Sequence, residues 1–464
     1  MIPPLFALLC WIPISLYLFW RYPLRVAILI SFVGGWAVLP SAAFAATSAP
    51  FPYWIIGTCL PSNYLITKAS VTGAAGLMGV LFFDPRSFGR LRPSYWDIPM
   101  LVWCVAPLLS GLANKQGIGV SLDNMLYQVL AWGIPYLAGR LYFFDIEYML
   151  LAAKAFVIGG MAYVPICLIE FFTGPQIYAH LYGYQPYRWT GAQRYLGFRP
   201  VGLLEDGNQL GIWMATSTLI ALWLWRRDSL KEILGIPIAV TGSILLAVTL
   251  LCQSVGSIVI FVGVLPLLFL RQRYIPRVLT ATVLLAILVL TSLRLANVVS
   301  VRALAAHNRA AIATARFLRE IGRNSFGWRL AQDEKHVGVA LERPILGSGK
   351  WNWWDGSSSR PWSLWLLAFG MYGVVGLLAL QCLQLAPVVR VVWQPPPLWK
   401  TDAYDLRRVL ATIVLVSAID ILLNSSMILP VVLLIGGLSG RISAATYVGM
   451  ETNGIDFPVV RDLA

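Results

Sequence analysis

The sequence has few charged residues. Only 12% of its 464 residues are Asp, Glu, Lys or Arg, whereas 58% are hydrophobic and the mean hydropathy is +0.72. A soluble globular domain carries about 25% charged residues. This scarcity excludes an ordinary soluble protein and indicates an integral membrane protein.

Histidine and cysteine are also scarce, with three His and six Cys in the whole chain. Five of the cysteines fall within or at the ends of apolar runs, and Cys59 alone lies in a polar loop without an obvious partner. The sequence therefore predicts neither a disulfide nor a metal site.

Acidic residues are fewer than basic ones, which gives the chain a formal net charge of +14. In a soluble protein such a charge would suggest a nucleic-acid partner. Here the basic residues cluster in the loops between apolar runs, where they set membrane topology and meet anionic headgroups. We therefore expect membrane lipids, and no nucleic acid, as partners.

Long apolar runs fill most of the chain. A bilayer core is crossed by about 20 apolar residues in a helix, which satisfies its own backbone hydrogen bonds. The sequence predicts an all-α polytopic membrane protein with about thirteen transmembrane helices. The predicted spans are 3–20, 26–46, 66–83, 98–112, 122–139, 148–172, 209–225, 232–251, 256–270, 278–296, 363–385, 409–424 and 427–440. The first run lacks the basic start of a signal peptide, so we interpret it as a retained helix.

The spans divide the chain into five parts. They are the N-terminal transmembrane helices 1–172, an external loop 173–208, the central transmembrane helices 209–296, a large external loop 297–362, and the C-terminal transmembrane helices and tail 363–464.

The basic residues predict the orientation of these parts. Loops such as 84–97 and 226–231 carry several arginines or lysines, whereas the alternate loops, such as 47–65, carry almost none. Because cytoplasmic loops are enriched in Lys and Arg, the N-terminus is predicted outside and the C-terminus in the cytoplasm of a bacterial inner membrane. Both long polar loops are then periplasmic.

The large loop begins with a helical pattern in which Arg302, Arg309, Arg316 and Arg323 recur every seven residues. This spacing places them in one stripe on a basic amphipathic helix. The helix either lies on anionic headgroups or forms a rim that guides a pyrophosphate lipid, since the arginine fork suits phosphate geometry. The sequence leaves both interpretations open.

Two motifs in the external loops resemble a known family. The first is an arginine, then a Glu-x-Pro-x-x-Gly-x-Gly turn, then a span with Gly-x-x-Gly-x-x-Gly, carried by Arg329, Glu342, Pro344, Gly347, Gly349, Gly370, Gly373 and Gly376. The second is an Arg-x-x-Gly followed by an asparagine at the start of the next span, carried by Arg199, Gly202 and Asn208. Together they resemble the O-antigen ligase and polysaccharide polymerase superfamily over about residues 195–440.

This resemblance implies a fold of about 12 to 14 transmembrane helices with a large periplasmic loop. It also implies transfer of a glycan from undecaprenyl pyrophosphate to an acceptor glycan or glycolipid, beside other polysaccharide-assembly proteins. It implies no cofactor, because the lipid pyrophosphate is itself the leaving group. The departing pyrophosphate develops negative charge, which positioned guanidinium groups stabilise without giving up a proton.

The chain departs from the family pattern in two places. Ser254, Val255 and Gly256 stand where the family has a Ser-Arg-Gly, so one arginine is absent. The customary periplasmic histidine falls on Ser359 or Arg360. Without it the protein needs another base or is inactive. The candidate bases are Glu205, Asp206, Asp355 and Glu342.

The sequence thus indicates two sets of site residues. The catalytic candidates are Arg199, Arg329, Asp206 and Glu342, and the substrate-binding candidates are Asn208, Lys350, Trp351, Trp354, Arg360 and Arg316. Asp206 and Asn208 are equally suited to capping the next helix. The tryptophans of 351–365 are typical of an interfacial aromatic belt, with sugar stacking as the alternative.

The sequence leaves three functions open. The first is a lipid-linked glycan polymerase or ligase. The second is a transporter or lipid-oligosaccharide flippase, which would need intramembrane charges; Lys154, Glu170 and Asp420 are the candidates, and Asp420 lies where an external arginine could reach it. The third is a catalytically inactive assembly partner.

Overall fold

A computed structural model describes residues 1–43, 59–62, 65–184, 192–194, 196–269, 274–296, 312–313, 316, 325–355, 359–394 and 402–440. In these ranges the chain is mostly helical, and its only sheets are two short two-stranded ribbons. The helical part of the predicted fold class is confirmed.

Most of the described secondary-structure elements are α-helices. The α-helices are α1 (Pro4–Arg21), α2 (Leu24–Leu29), α3 (Gly35–Val38), α4 (Lys68–Phe83), α5 (Ile98–Ala113), α6 (Ile118–Gln128), α7 (Ile134–Tyr142), α8 (Ile146–Thr173), α9 (Ile177–Tyr182), α10 (Gly207–Arg226), α11 (Ile238–Leu251), α12 (Val255–Phe269), α13 (Tyr274–Leu295), α14 (Ser325–Leu341), α15 (Leu364–Val392), α16 (Asp402–Asp420) and α17 (Pro430–Ser439). The antiparallel ribbons pair β1 (Gln193–Arg194) with β2 (Gly197–Phe198), and β3 (Glu232–Ile233) with β4 (Ile236–Pro237). Two π-helical segments, Ile30–Gly34 and Val129–Gly133, join α2 to α3 and α6 to α7.

Several helices are long and apolar enough to cross a membrane. Among the described residues there are five, Pro4–Arg21, Tyr95–Ala113, Ile146–Thr173, Pro276–Leu295 and Leu364–Val392. Shorter apolar helices of 10–17 residues are Leu24–Val38, Lys68–Phe83, Ile238–Leu251, Val255–Leu268 and Pro430–Ser439. These apolar helices support a membrane protein.

Helix α10 lies at the centre of the bundle. Most of its apolar side chains are buried, and Trp213 and Leu219 are completely buried. It packs against α8, α11, α12 and α16. Large apolar side chains such as Phe172, Leu101 and Val262 are exposed on the outer surface of the protein. Lipid tails are as apolar as leucine, so such a surface suits contact with lipid.

Helices α7 and α17 pack backbone to backbone. A Cβ atom added at Gly139 would overlap the carbonyl of Leu433, and one added at Gly436 would overlap the carbonyl of Tyr136. Small residues at helix interfaces allow the close van der Waals packing that stabilises helix pairs in a membrane. This contact fastens the C-terminal helices to the N-terminal ones.

Candidate functional site

Arg199 lies at the entrance to α10 and its side chain is buried. Its backbone N–H donates to the Ala192 carbonyl at 2.7 Å, which ties it to the β1–β2 ribbon. Its Nη2 donates to Asn208 Oδ1 at 2.6 Å and to Ser254 Oγ at 3.1 Å. Gly207 makes room for this side chain, because a Cβ there would overlap the guanidinium.

The guanidinium of Arg199 has no anionic partner in the described part of the chain. Its bonds go to a neutral amide and a neutral hydroxyl, and its Nε–H reaches no described acceptor. The side chain is only 6% exposed. An uncompensated buried charge is unfavourable, so this guanidinium is suited to receive an anion.

Asp206 caps the N-terminus of α10. Its Oδ1 accepts hydrogen bonds from the backbone N–H groups of Asn208 at 2.7 Å and Gln209 at 2.8 Å. The capping interpretation of Asp206 is therefore confirmed. The side chain of Asn208 is the acceptor of Arg199, so the start of α10 holds both residues in place.

Arg329 lies in the second turn of α14 and reaches the segment after α16. Its Nη1 donates to Asn424 Oδ1, and Asn424 Nδ2 donates to Asp420 Oδ1 at 2.5 Å. Asp420 is also close enough to interact electrostatically with both Asp206 and Arg329. Asp420 therefore connects the surroundings of Arg329 with the start of α10, where Arg199 lies.

Arg360 is the third arginine of this region and is 2% exposed. Its guanidinium lies 3.6 Å from the centre of the Trp362 ring, and its Nη1 donates to the Pro361 carbonyl at 3.0 Å. Burial lowers the pKa of Arg360 well below its ordinary value, and the positive charge of Arg329 lowers it further, against Asp206 and Asp333. We call Arg199, Arg329 and Arg360 the arginine cluster.

Asp333 fixes the segment that carries Arg360. Its Oδ1 accepts the backbone N–H groups of Trp362 at 2.6 Å and Ser363 at 3.2 Å, at the start of α15. Its Oδ2 pairs with Arg294 of α13 at 3.0 Å. Helices α13, α14 and α15 therefore meet at one buried carboxylate, which sets the position of Arg360 relative to Arg329.

The structure also brings a histidine to this region. His336, on α14, is buried, and its Nε2 lies 3.1 Å from Ser359 Oγ. Ser359 is one of the two positions on which the family resemblance would place a histidine, and here an imidazole from another segment lies beside it. Sequence reasoning missed it, although His336 follows Arg329 by seven residues and hence lies on the same face of a helix.

Burial lowers the pKa of His336, against the nearby charge of Asp333. Its imidazole is therefore neutral at pH 7, and the unfolded chain, where the pKa is about 6.5, takes up a proton first as the pH falls. We expect the contribution of His336 to thermal stability to be constant above about pH 7 and to decrease below about pH 6.5. In melting scans in detergent, the His336→Gln variant should lack the decrease in stability that His336 causes. A pH profile of stability equal to that of the wild type would contradict the buried, neutral state of His336.

Other site candidates line a separate cavity of about 860 Å³, which we call the polar cavity. Its lining includes Glu342, Lys350 and Trp351. Arg329 and Glu342 are separated by almost the whole of α14, about 20 Å at 1.5 Å per residue. The structure thus brings Arg199, Asp206, Asn208, Arg329 and Arg360 together and leaves Glu342, Lys350 and Trp351 apart from them.

The glycines of α15 allow one wall of the polar cavity to pack closely against this helix. Gly373 has φ +62° and ψ −158°, which interrupts α15, and a Cβ there would overlap the carbonyl of Ile345. The backbone N–H groups of Ser348 and Gly349 donate to the carbonyls of residues 370 and 371, each at 2.9 Å. The turn of the sequence motif and the glycine-containing span therefore form one unit.

Three tryptophans of the predicted aromatic belt do not face lipid. Trp353, Trp354 and Trp365 are 9%, 8% and 0% exposed. The belt interpretation is wrong for these three, because they pack inside the protein. Trp354 contacts Trp351 edge to face, with ring centroids 6.0 Å apart.

Glu205 is held in a buried ion pair that the sequence did not reveal. Its Oε1 contacts Lys68 Nζ, and both side chains are 0% exposed. Ser41 donates to the same carboxylate at 3.4 Å, and Gln209 Oε1 accepts the backbone N–H of Glu205 at 3.1 Å. This pair lies directly before Asp206 and connects the start of α4 to the start of α10.

Of the predicted basic stripe, the structure describes Arg316 alone, which is helical and exposed. Arg302, Arg309 and Arg323 lie outside the described residues. All six cysteines are free thiols. Within the described ranges no group of three or more His, Cys, Asp or Glu could hold a metal ion.

No protein-family model matches the sequence, and no curated protein or solved structure shows significant similarity to it. The family resemblance therefore stays a prediction from the motifs. The arginine cluster and the polar cavity are the features of this chain on which a functional proposal can rest.

Proposed function

We propose that this protein is a membrane glycosyltransferase that transfers or polymerises glycan from an undecaprenyl-pyrophosphate-linked donor, in O-antigen or exopolysaccharide biosynthesis. The observation that carries the proposal is the arginine cluster, in which the buried Arg199 has only neutral partners among the described residues. Planar guanidinium groups bind phosphate oxygens in bidentate fashion and stay charged in most environments. Several of them around one point suit a pyrophosphate.

In the proposed reaction the acceptor hydroxyl oxygen attacks the anomeric carbon of the donor sugar. The new glycosidic C–O bond forms, the bond from that carbon to the pyrophosphate oxygen breaks, and the lipid pyrophosphate departs with the electron pair. The arginine cluster stabilises its negative charge. We assign the acceptor proton to the neutral His336, reached through the Ser359 hydroxyl, which is next to Arg360 in the chain.

The proposal includes the topology in which the chain crosses a bacterial inner membrane about thirteen times, with its N-terminus outside. In this topology the arginine cluster and the polar cavity both lie on the periplasmic side. A lipid-linked donor that has already been moved to the outer leaflet would then meet the cluster at the membrane surface.

One observation favours a second function, a lipid-oligosaccharide flippase. The Lys68–Glu205 ion pair is completely buried at the start of a predicted span. Buried charges within membrane proteins often mark transport pathways. The two functions differ in where the donor accumulates when the protein fails.

The experiment uses Arg199→Gln in the host, with Arg86→Gln, an exposed arginine on the opposite side, as control. We expect Arg199→Gln to reduce surface polysaccharide about a hundredfold, the usual scale for a lost electrostatic donor. The lipid-linked oligosaccharide should accumulate where an impermeant glycan label reaches it in intact spheroplasts. Accumulation that becomes labelled only after lysis would support the flippase, and unchanged polysaccharide would overturn the proposal.

A further inference from the structure

The polar cavity is built from segments that are distant in sequence. Pro61, Ser62 and Leu65 form one part of the wall, and the turn between α5 and α6 with the first half of α6 forms a second. The end of α14, with 348–353 and Asp355, forms a third. Its volume of about 860 Å³ falls within the roughly 300–1,000 Å³ of small-molecule sites. A di- or trisaccharide is of this size.

Hydrogen bonds hold these walls together. Asn114 Nδ2 donates to the Gly347 carbonyl at 2.8 Å, and Gln116 Nε2 donates to the Ser348 carbonyl at 2.9 Å. Ser110 Oγ donates to the Met371 carbonyl at 2.9 Å, which ties α5 to α15. The cavity is thus organised before any ligand binds, which lowers the entropy lost on binding.

The lining differs in charge from the arginine cluster. It contains three carboxylates against two cationic side chains, together with amides and indoles. These are Asp123, Glu342, Asp355, Arg343, Lys350, Gln116, Asn124, Asn352, Trp351 and Trp353. A net negative lining disfavours a phosphate, so this site and the cluster suit different parts of a substrate.

The same lining suits a sugar. Carboxylates and amides accept and donate several hydrogen bonds at fixed positions, as the dense hydroxyls of a sugar require. Trp353 is 9% exposed, and its indole N–H finds no acceptor among the described residues. Indoles combine a broad apolar face, which packs on sugar C–H groups, with one N–H donor.

We propose that the polar cavity binds the acceptor glycan, with its sugar residues between Asp123 and the indoles of Trp351 and Trp353. The acceptor assignment rests on the proposed glycosyltransferase function. The length of α14, about 20 Å from Arg329 to Glu342, then separates the bound acceptor segment from the pyrophosphate site.

The test measures binding of trisaccharide fragments, prepared by partial acid hydrolysis of the host polysaccharide, to the full-length protein in nanodiscs. Equilibrium dialysis gives the Kd, and tryptophan fluorescence reports on the indoles. Asp123→Asn and Trp351→Ala should each raise the Kd about tenfold, because each removes a strong contact. Asp228→Asn, an exposed carboxylate elsewhere, and Arg329→Ala should bind as the wild type does.

Failure of the cavity assignment is separable from failure of the proposed function. Wild-type protein that binds no fragment, or cavity variants that keep the wild-type Kd, would overturn the cavity assignment even where Arg329→Ala abolishes polysaccharide. If fragment binding depends on the cavity residues but Arg329→Ala still makes normal amounts of polysaccharide, both the acceptor assignment and the proposed function are wrong. Membrane abundance and gel filtration confirm that each variant is folded.

Discussion

Replacing Arg329 with alanine is expected to abolish surface polysaccharide in the host while the protein still reaches the membrane at normal abundance. Arg329 bonds to Asn424 and interacts with Asp420, and it is one of three guanidinium groups in the cluster. Removing one preorganised donor that stabilises developing charge reduces turnover about 10²- to 10³-fold. Polysaccharide immunoblots and quantitative membrane blots measure the two quantities.

Two further variants distinguish catalysis from anchoring to lipid. Arg329→Lys should restore polysaccharide poorly, because an ammonium keeps the charge without the planar bidentate fork. Arg316→Ala should have a mild effect, since an exposed basic residue contributes about 1 kcal/mol of attraction to an anionic surface. Equal and slight losses in Arg316→Ala and Arg329→Ala would mean that both arginines only anchor the protein.

Replacing Lys68 with methionine is expected to reduce the stability of the protein more than the other substitutions proposed for it. The substitution leaves Glu205 fully buried without its cationic partner, and breaking a buried pair on one side costs about 3–5 kcal/mol. Burial raises the pKa of Glu205, and the positive charge of Lys68 lowers it. Without Lys68 the carboxyl group therefore takes up a proton more readily. The loss of stability should therefore lie near the lower end of this range, at about 3 kcal/mol.

The double variant Lys68→Met/Glu205→Gln tests this explanation. Because it removes both charges, it should recover most of the stability lost in Lys68→Met. Arg90→Met, which breaks the surface pair with Asp84, is the control and should change stability by less than about 1 kcal/mol. Unfolding in detergent measures all of them, and a double variant as unstable as Lys68→Met would exclude the ion-pair explanation.

The helices could be predicted well because hydropathy and capping act locally. The predicted span 209–225 corresponds to α10 at Gly207–Arg226, and 363–385 corresponds to the first part of α15, Leu364–Val392. Asp206 was foreseeable as a cap from residue type and position alone. Such features depend on neighbours within a few residues of the chain.

The contacts across the site could not be predicted in this way. Lys68 and Glu205 belong to different segments of the chain, and a single sequence contains no signal that pairs them. Glu342 was grouped with Arg329 because both belong to one motif, but the segment between them is helical, which places them at opposite ends. The same helical spacing would have indicated His336 beside Arg329, had 325–341 been interpreted as a helix.

In the proposed topology, the break at Gly373 determines how deep the protein lies in the bilayer. The part of α15 from Gly373 to Val392 is about 30 Å long, which equals the thickness of the hydrocarbon core, whereas the whole helix of 29 residues would exceed it. With this part of α15 as the spanning segment, the outer edge of the core lies near Gly373 instead of residue 363, where the predicted span begins. The wall of the polar cavity that is hydrogen-bonded to residues 370 and 371 then lies level with the lipid headgroups. An acceptor can therefore approach the cavity along the membrane plane without leaving the surface.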